Sequence, residues 1–325
     1  MAVTAAAQSV QAPHTPAPRW RPLENEGWLA MLLLMPTLVL LGLFIAYPFV
    51  KGILLSVTSS RVGVPGVFVG FDNFTRLFSD PIFFNGFLKS SVVMNTIWYT
   101  LITTIFKLAL GLWLALLLNR NFKGKAFTRA FILLPFIIPT VLSTFAWKWM
   151  FDPTFSVLNW LFFKAGLIGP SGGLNWLGDA DLNYWSNLSM WSIIIVNVWR
   201  GVPFFAISLL AGLQTISPDL AEAAAIDGAK PLQRFWYITW PLLLPVTMVV
   251  VLFSVIQTFA DFQIVYVMTG GGPANATHLF ATYAYQLGVG TGLLSQGAAI
   301  SLAMFPILFA IVIVQLLYIR RVETR

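Results

Sequence analysis

The stretch Ser217-Pro-Asp-Leu-Ala-Glu-Ala-Ala-Ala-Ile-Asp-Gly-Ala-Lys-Pro231 predicts a short helix with well-defined ends. Ser217 suits the N-cap, Pro218 suits the first helical position, and Asp219 lies where the helix dipole favours a negative charge. The residues that follow are mostly good helix formers. Gly228 favours termination of the helix, and Pro231 prevents easy continuation.

This predicted helix is about 10 residues long, too short to cross a bilayer and marginally stable in isolation. It nevertheless lies between two long apolar segments. We therefore expect it to lie outside the membrane and to dock on another protein. The alternative is a capped connector that only joins two membrane helices.

The composition places the chain among integral membrane proteins. It has 325 residues, of which 58% are hydrophobic and 10% are charged, and its mean hydropathy is +0.80. Soluble domains carry about 25% charged residues, and wholly disordered chains need low hydrophobicity. The chain has no cysteine and two histidines, His14 and His278, which both lie outside the long apolar runs. Disulfide frameworks, thiolate metal sites and multi-histidine metal sites are therefore excluded.

Six apolar runs are long enough to cross a membrane, which takes about 20 residues. The runs are Trp28–Val50, Ser91–Leu118, Ala126–Trp147, Leu188–Leu213, Pro241–Val267 and Gly297–Ile319. The predicted fold class is an all-α polytopic membrane protein with six transmembrane helices. Its expected organisation is a disordered tail at 1–27, a transmembrane domain at 28–321 and a short end at 322–325.

The distribution of Lys and Arg predicts the orientation of the chain. If the N-terminus is cytoplasmic, the inside segments hold 11 of the 19 Lys and Arg residues and the outside segments hold 6. This bias favours a cytoplasmic location for both termini. It also places the loop 217–240 in the cytoplasm.

Three segments resemble those of a known transporter family. Glu222-Ala-Ala-Ala-Ile-Asp-Gly-Ala229, with Pro241 and Pro245 downstream, resembles the EAA loop of ABC importer permeases. Tyr266-Val-Met-Thr-Gly-Gly-Gly-Pro273 and Phe71-Asp-Asn-Phe-Thr-Arg-Leu77 look like segments of the carbohydrate-type permeases. The resemblance covers about 28–321, and its maltose-type branch is the best match.

The resemblance implies the ABC importer permease fold, with a cytoplasmic coupling helix that inserts into a groove on an ATPase subunit. The residues implied in coupling are Glu222, Ala223, Ala224, Asp227, Gly228 and Ala229. Glu222 is the expected charged contact to the ATPase, and Asp227 and Gly228 are expected to shape the turn.

The same resemblance implies a set of partners. We expect a second homologous permease, two ATPase subunits, an extracytoplasmic solute-binding protein, a sugar or sugar-like solute, and membrane lipid. The chain has no Walker A motif, so ATP and magnesium are expected on the ATPase and no cofactor is expected here. The chain is not expected to be an enzyme or to bind nucleic acid. Its expected location is the bacterial plasma (inner) membrane.

A polar face on the fourth run is a candidate substrate-binding surface. Charged groups inside a span are costly and usually face a cavity or a partner. Asn197, Arg200, Gly201 and Phe204 lie at positions that share one helical face. Arg200 could indicate an anionic sugar, although a basic residue after Trp199 is frequent in the permeases that the chain resembles.

A second polar face lies on the fifth run, at Ser254, Gln257, Thr258 and Asp261. Hydroxyls, amides and carboxylates can bind sugar hydroxyls, and the aromatic ring on the fourth run could stack on a sugar. The two faces resemble the sugar-contacting regions of the maltose-type permease. The alternatives are polar contacts between helices and a structural ion pair between Arg200 and Asp261. Lys107, in the second run, is assigned no role.

The sequence gives less support to two other classes of function. A polytopic membrane enzyme needs catalytic carboxylates or histidines at one membrane face, but the loop aspartates are scattered without metal-type spacing. An ion-driven secondary transporter favours paired discontinuous helices in an internal repeat, and no convincing repeat is present.

Overall fold

The structure is a computed structural model that describes residues 26–86, 89–169, 172–179 and 186–323. Residues 1–25 of the expected tail and residues 324–325 of the expected C-terminal end lie outside this described part. The chain divides into two compact units, Met1–Lys51 and Gly52–Arg325.

The described part of the chain is helical apart from its loops and two isolated β-bridges. Its helices are α1 (Glu26–Leu41), α2 (Tyr47–Ser56), α3 (Asp72–Ser79), α4 (Val92–Asn119), α5 (Lys125–Ile137), α6 (Thr140–Met150), α7 (Val157–Lys164), α8 (Leu188–Gln214), α9 (Pro218–Ile226), α10 (Pro231–Arg234), α11 (Trp240–Phe259), α12 (Gln263–Met268), α13 (Phe280–Tyr285) and α14 (Leu294–Glu323). Single π-helical turns at Gly42–Ala46 and Phe235–Thr239 join α1 to α2 and α10 to α11, and a third at Gln286–Gly290 follows α13.

Five described helices are long and apolar enough to span a membrane, or six spans are present if one bent helix pair counts as one. The five are Glu26–Ser56, Val92–Asn119, Leu188–Gln214, Pro231–Phe259 and Leu294–Tyr318. This confirms the predicted all-helical membrane fold. Five of the six apolar runs correspond to these helices, and the remaining run behaves differently.

The third run, Ala126–Trp147, forms the sixth span only if a bent pair of helices counts as one. The run is divided into α5 and α6, which meet at an angle of 89°. Ile138 has extended backbone angles, φ −63° and ψ 131°. Pro139 causes this break, because a residue before proline is driven away from the helical region and proline has no N–H to donate. We call α5 and α6 together the broken span.

The predicted end of the fifth run at Val267 is wrong. Helix α11 ends at Phe259, and α12 begins only at Gln263. Asp261 lies in the turn between them, and its Oδ1 accepts a hydrogen bond from the Ile264 N–H at 3.3 Å. An aspartate that accepts from a backbone N–H three residues later favours the start of a new helix. Asp261 is therefore placed by a turn and not by the periodicity of α11.

Helices α4 and α8 form the main packed pair of the second unit. Their close approach depends on Gly111, because a Cβ at this position would collide with the side chain of Phe205. Phe205 and Leu209 are at most 1% exposed. Small residues let helices approach closely inside a membrane, where apolar burial alone gives little driving force. This closely packed pair carries the polar residues of α4 and α8 that are described below.

Candidate functional site

Helix α9 begins and ends where the sequence predicts. Ser217 is its N-cap, and its Oγ accepts a hydrogen bond from the Asp219 N–H at 3.3 Å. At the other end the Gly228 N–H donates to the Ala225 carbonyl at 3.1 Å, and the Ala229 N–H donates to the Ala224 carbonyl at 2.9 Å. This pair of bonds is the Schellman motif, which requires a left-handed residue. Gly228 supplies it with φ +81°.

The predicted coupling residues therefore fall into two groups. Ala224, Gly228 and Ala229 form the C-terminal motif, and Asp227 is the C-cap residue. Glu222 and Ala223 lie on the exposed surface of α9. The residues of the first group determine where the helix ends. Glu222 and Ala223 are exposed and can contact another protein.

The loop 217–240 exposes apolar side chains on α9 and at the start of the span Pro231–Phe259. Ile226 is 87% exposed, Leu232 is 69% exposed and Tyr237 is 80% exposed. Arg234 donates to the Ala221 carbonyl at 3.1 Å and thereby ties α10 to α9. A small concavity of about 380 Å³ lies beside the Schellman turn, lined in part by Gly228 and Tyr237. Ile226 lies on α9, before the span begins, and an exposed apolar side chain outside the membrane is typical of a protein interaction site.

A second candidate site is a cavity of about 560 Å³ among α4, the broken span, α8 and the α11–α12 region, which we call the polar cavity. It is lined by Lys107, Phe136, Thr140, Arg200, Gly201, Phe204, Phe205, Phe253, Ser254, Gln257, Thr258, Ala260, Asp261, Phe262, Gln263 and Ile264. Seven of the eight predicted substrate-binding residues line this cavity. The two polar faces that the sequence places on different helices therefore meet at one cavity.

Asn197 is the predicted residue that does not line the cavity. It is 8% exposed, and its Nδ2 donates to the Tyr99 Oη at 2.7 Å and to Asp261 Oδ2 at 3.0 Å. The Tyr99 hydroxyl donates to the same carboxylate oxygen at 2.6 Å. Asn197 and Tyr99 thus hold Asp261 in place from behind the cavity wall. The structure places Asn197 behind the cavity wall, because its amide is directed toward Tyr99 and Asp261, and its role in binding the solute stays a prediction.

Arg200 lines the cavity, but its guanidinium is bound to the broken span. Nη1 donates to the Ile138 carbonyl at 3.0 Å and to Ser143 Oγ at 2.7 Å. Nη2 donates to Thr140 Oγ1 at 2.8 Å. These three groups surround the bend, and Ile138 directly precedes the proline that causes it. The bonds described for Arg200 and Asp261 go to other partners, so the alternative of a direct ion pair between them is not supported.

Lys107 is the cavity residue that sequence reasoning left without a role. It is 5% exposed, and its Nζ donates to Thr258 Oγ1 at 2.9 Å. Its methylene chain lies against Gly201, where an added Cβ would come within 2.5 Å of Cε and 2.7 Å of Cδ. The signal that could have identified Lys107 is its charge in the middle of an apolar run, since such residues usually face a cavity.

The remaining cavity groups supply both polar and aromatic surface. Ser254 is 5% exposed, and its Oγ has no hydrogen-bond partner among the described residues. Gln257 is exposed at the cavity. Phe204 is stacked with Phe136 at a centroid distance of 5.9 Å and lies 5.2 Å from Phe253. Apolar walls with a few placed polar groups are typical of sites for small molecules.

A third concavity, of about 550 Å³, lies among α4, the broken span and α8 and is lined almost entirely by apolar side chains. It includes Phe131, Trp147 and Trp191. A site that binds a polar solute needs hydrogen-bonding groups that fix its orientation, and this groove offers very few. We therefore assign solute binding to the polar cavity. Among the described residues, no group of three or more His, Cys, Asp or Glu could hold a metal ion.

Comparison with known proteins gives consistent matches over the chain. The profile of the family described as "Binding-protein-dependent transport system inner membrane component" matches residues 107–324. The sulfoquinovosyl glycerol transport system permease protein SmoG of Agrobacterium fabrum is 36% identical over 307 residues, which cover 93% of this chain and 94% of that protein. The trehalose/maltose transport system permease protein MalF of Thermococcus litoralis is 34% identical over 293 residues, with coverage of 90% and 94%.

A solved structure has the same fold. A chain in the crystal structure of a bacterial ABC transporter involved in the import of the acidic polysaccharide alginate matches with a TM-score of 0.76 and 22% identity. The match covers 93% of this chain and 98% of that chain.

Proposed function

The chain belongs to the family of binding-protein-dependent ABC transporter permeases, and from this premise we propose that it carries a sugar or sugar-like solute through the polar cavity. As a member of this family it is a multi-pass component of the inner membrane. It works with a binding protein and with an ATPase, and it is not itself the catalytic subunit. The substrate class, the stoichiometry and the orientation belong to the proposal.

The observation that carries the proposal is the convergence of two polar faces at one cavity. The face on α8 and the face on α11 are separated in sequence by the loop 217–240, yet both line the same space of about 560 Å³. Ser254 and Gln257 offer a hydroxyl and an amide to sugar hydroxyls, and Phe204 offers an aromatic surface to a sugar ring. The names of two relatives, which refer to sulfoquinovosyl glycerol and to trehalose and maltose, support the same substrate class.

We propose that the complete importer contains this chain, a second homologous permease, two ATPase subunits and an extracytoplasmic binding protein. ATP and magnesium bind to the ATPase subunits. Both termini and the loop 217–240 lie in the cytoplasm, which agrees with the excess of Lys and Arg in those segments. Lipid covers the outward faces of the spans.

Coupling passes through α9. The exposed surface that contains Glu222 and Ile226 docks in a groove of the ATPase, with Glu222 as the charged contact. When the ATPase changes conformation, α9 moves with it, and the polar cavity alternates between outward and inward access. The docked helix must bind the two ATPase conformations with different affinities, since a ligand with equal affinity for both states shifts neither.

Gln257→Ala tests the cavity assignment. We expect the variant to raise the solute concentration needed for half-maximal uptake by up to about tenfold, because one or two hydrogen bonds to the sugar are lost. Uptake of trehalose, maltose and sulfoquinovosyl glycerol is first measured in vesicles that contain the whole importer. The variant is then compared on the solute that is taken up.

Gln214→Ala is the matched control, because this glutamine is also exposed but lies at the end of α8 and away from the cavity. Co-purification of the ATPase is measured for both variants. Unchanged uptake by Gln257→Ala contradicts the cavity assignment. Loss of the ATPase from Gln257→Ala alone favours a role in helix packing.

A further inference from the structure

The polar cavity contains a buried ammonium group that the general function does not explain. A neutral sugar needs hydroxyl and amide partners, which Ser254 and Gln257 provide. Lys107 adds a positive charge at a position that is only 5% exposed. A charge inside a membrane span is costly and is usually retained for a specific interaction.

Two of the three N–H donors of the Lys107 ammonium group have no acceptor among the described residues. An ammonium group has three N–H donors. The described contacts of Lys107 include one hydrogen bond, from Nζ to Thr258 Oγ1 at 2.9 Å. Nearby, the Ser254 hydroxyl lines the same cavity and has no partner among the described residues. The cavity therefore presents unused donors to whatever occupies it.

The other charged groups at the cavity are already engaged. Arg200 donates three hydrogen bonds to the broken span. Asp261 accepts from Tyr99 and Asn197 at Oδ2 and from the Ile264 N–H at Oδ1. Three of the five N–H donors of Arg200 fix its guanidinium on the broken span, whereas two of the three donors of Lys107 have no described acceptor, so Lys107 is the cation at the cavity that is less committed to neighbouring helices.

The space that the Lys107 side chain occupies depends on a glycine in the facing helix, α8. A Cβ at position 201 would come within 2.7 Å of Cδ of Lys107 and within 3.2 Å of its Cγ. Gly201 therefore leaves room for the whole methylene chain, which runs between α4 and α8 toward Thr258. This arrangement holds the ammonium group in place and limits the rotamer freedom that would be lost when a ligand binds.

We propose that Lys107 determines substrate specificity and that the polar cavity takes a sugar carrying one anionic oxygen group, such as a carboxylate, sulfonate or phosphate. The anionic group binds the Lys107 ammonium, the sugar hydroxyls bind Ser254 and Gln257, and the sugar ring lies against Phe204. The inference rests on the proposed function of the cavity as a sugar site. The competing explanation is that Lys107 only balances the charge of Asp261 and that the solute is neutral.

The test compares two probes that differ in one group. The importer of permeases and ATPases is purified in lipid nanodiscs without the binding protein. Binding of p-nitrophenyl β-D-glucuronide and p-nitrophenyl β-D-glucoside is measured by isothermal titration calorimetry. We expect the glucuronide to bind about 10- to 100-fold more tightly, which is the range for a charge-assisted hydrogen bond in a protein.

Three variants test whether Lys107 causes the preference for the glucuronide over the glucoside. We expect Lys107→Met to lose the preference and Lys107→Arg to retain most of it. Lys164→Met is the matched control, because Lys164 lies in α7 outside the cavity, and it is expected to bind like the unmodified chain. If Lys107→Met fails to assemble, Lys107→Met with Asp261→Asn removes both charges together, and we expect this pair to show no preference.

Each outcome separates the inference from the function on which it rests. Equal affinity for the two probes, or an unchanged preference in Lys107→Met or the double variant, overturns the role of Lys107 but leaves the sugar site standing. If only the glucoside binds, the role of Lys107 is likewise overturned and the sugar site still stands. Failure of both probes to bind counts against the sugar site itself and therefore against both proposals.

Discussion

Single polar residues in the spans differ in what they bind, even where their spacing along a helix is the same. Asn197 and Arg200 share one face of α8. Asn197 reaches Asp261 and Tyr99, whereas Arg200 reaches the bend of the broken span. Helical spacing predicts the face from which a side chain starts. For a long side chain the partner is decided by the atoms within reach of its end.

His278 shows how the loop after α12 is built around one buried ring. The imidazole is 2% exposed, and its Nδ1 lies 3.2 Å from Thr282 Oγ1. Gly271, with φ +93°, leaves the space that the ring occupies, since a Cβ at this position would collide with it. Burial lowers the pKa of His278 to about 4, and a hydrogen bond with Gln286 acts in the opposite direction.

This low pKa predicts a loss of stability in mild acid. The ordinary pKa of histidine is about 6.5, so between about pH 6.5 and 4 the unfolded chain binds a proton that the folded chain does not. The stabilisation is therefore complete above pH 6.5 and is lost as the pH falls. At pH 5 we expect the free energy of unfolding to be lower by roughly 2 kcal/mol than at pH 7.

The measurement is the melting temperature of the purified importer at pH 7 and pH 5, with and without His278→Gln. The variant does not titrate in this range, so the difference between its two melting temperatures should be smaller than that of the unmodified chain. An equal difference in both proteins would show that other groups cause the acid sensitivity.

At the scale of one element, α9 is a helix whose ends are satisfied by its own residues and whose surface is left exposed. Ser217 and the Schellman turn at Gly228 provide the end bonds. A helix of 9 residues is marginal alone, so the bond from Arg234 to the Ala221 carbonyl adds support from the neighbouring helix. Surface substitutions on α9 should therefore affect docking more than folding.

Glu222→Lys is expected to reduce ATP-driven uptake by about 30-fold or more, because a charge reversal at a desolvated docking contact typically costs 2–5 kcal/mol. Expression of the chain and binding of the solute in the polar cavity should remain, since Glu222 is exposed and lies outside the cavity. Uptake is measured in proteoliposomes, and binding is measured on the purified complex.

Asp72→Lys is the matched control, because Asp72 is an exposed carboxylate on the short helix α3 and lies far from α9 in sequence. Its uptake should stay close to that of the unmodified chain. Normal uptake by Glu222→Lys would rule out the docking role of that residue.

At the scale of the whole molecule, the chain supplies membrane-spanning helices and a cavity, and its energy source lies on another subunit. We predict that uptake in vesicles requires ATP and does not require an ion gradient. Depletion of ATP should reduce uptake to background. Collapse of the proton and sodium gradients by ionophores, with ATP maintained, should leave at least half of the uptake.

The measurement is uptake of the transported solute in right-side-out vesicles under the two treatments. The matched control is the ATP content of the vesicles, which must stay constant when the gradients are collapsed. Uptake that continues without ATP and stops without a gradient would contradict the assignment of energy coupling to an ATPase.

The sequence by itself determined the membrane class, the family and both ends of α9. Hydropathy and caps are local properties, since each depends on residues within a few positions along the chain. The family resemblance at Glu222–Ala229 is local for the same reason. These expectations are confirmed by the spans, by the capped helix and by the family match. The orientation of the chain and the role of Glu222 stay predictions.

Only the tertiary structure decided where the third run breaks and which polar groups meet. A proline inside a span is compatible with either a continuous or a broken helix, and here Arg200 from α8 binds the carbonyl and hydroxyls exposed at the bend. Lys107 became a cavity residue because Gly201 and Thr258, which are distant in sequence, lie beside it. Such contacts depend on the packing of three helices, and no spacing within one helix contains that information.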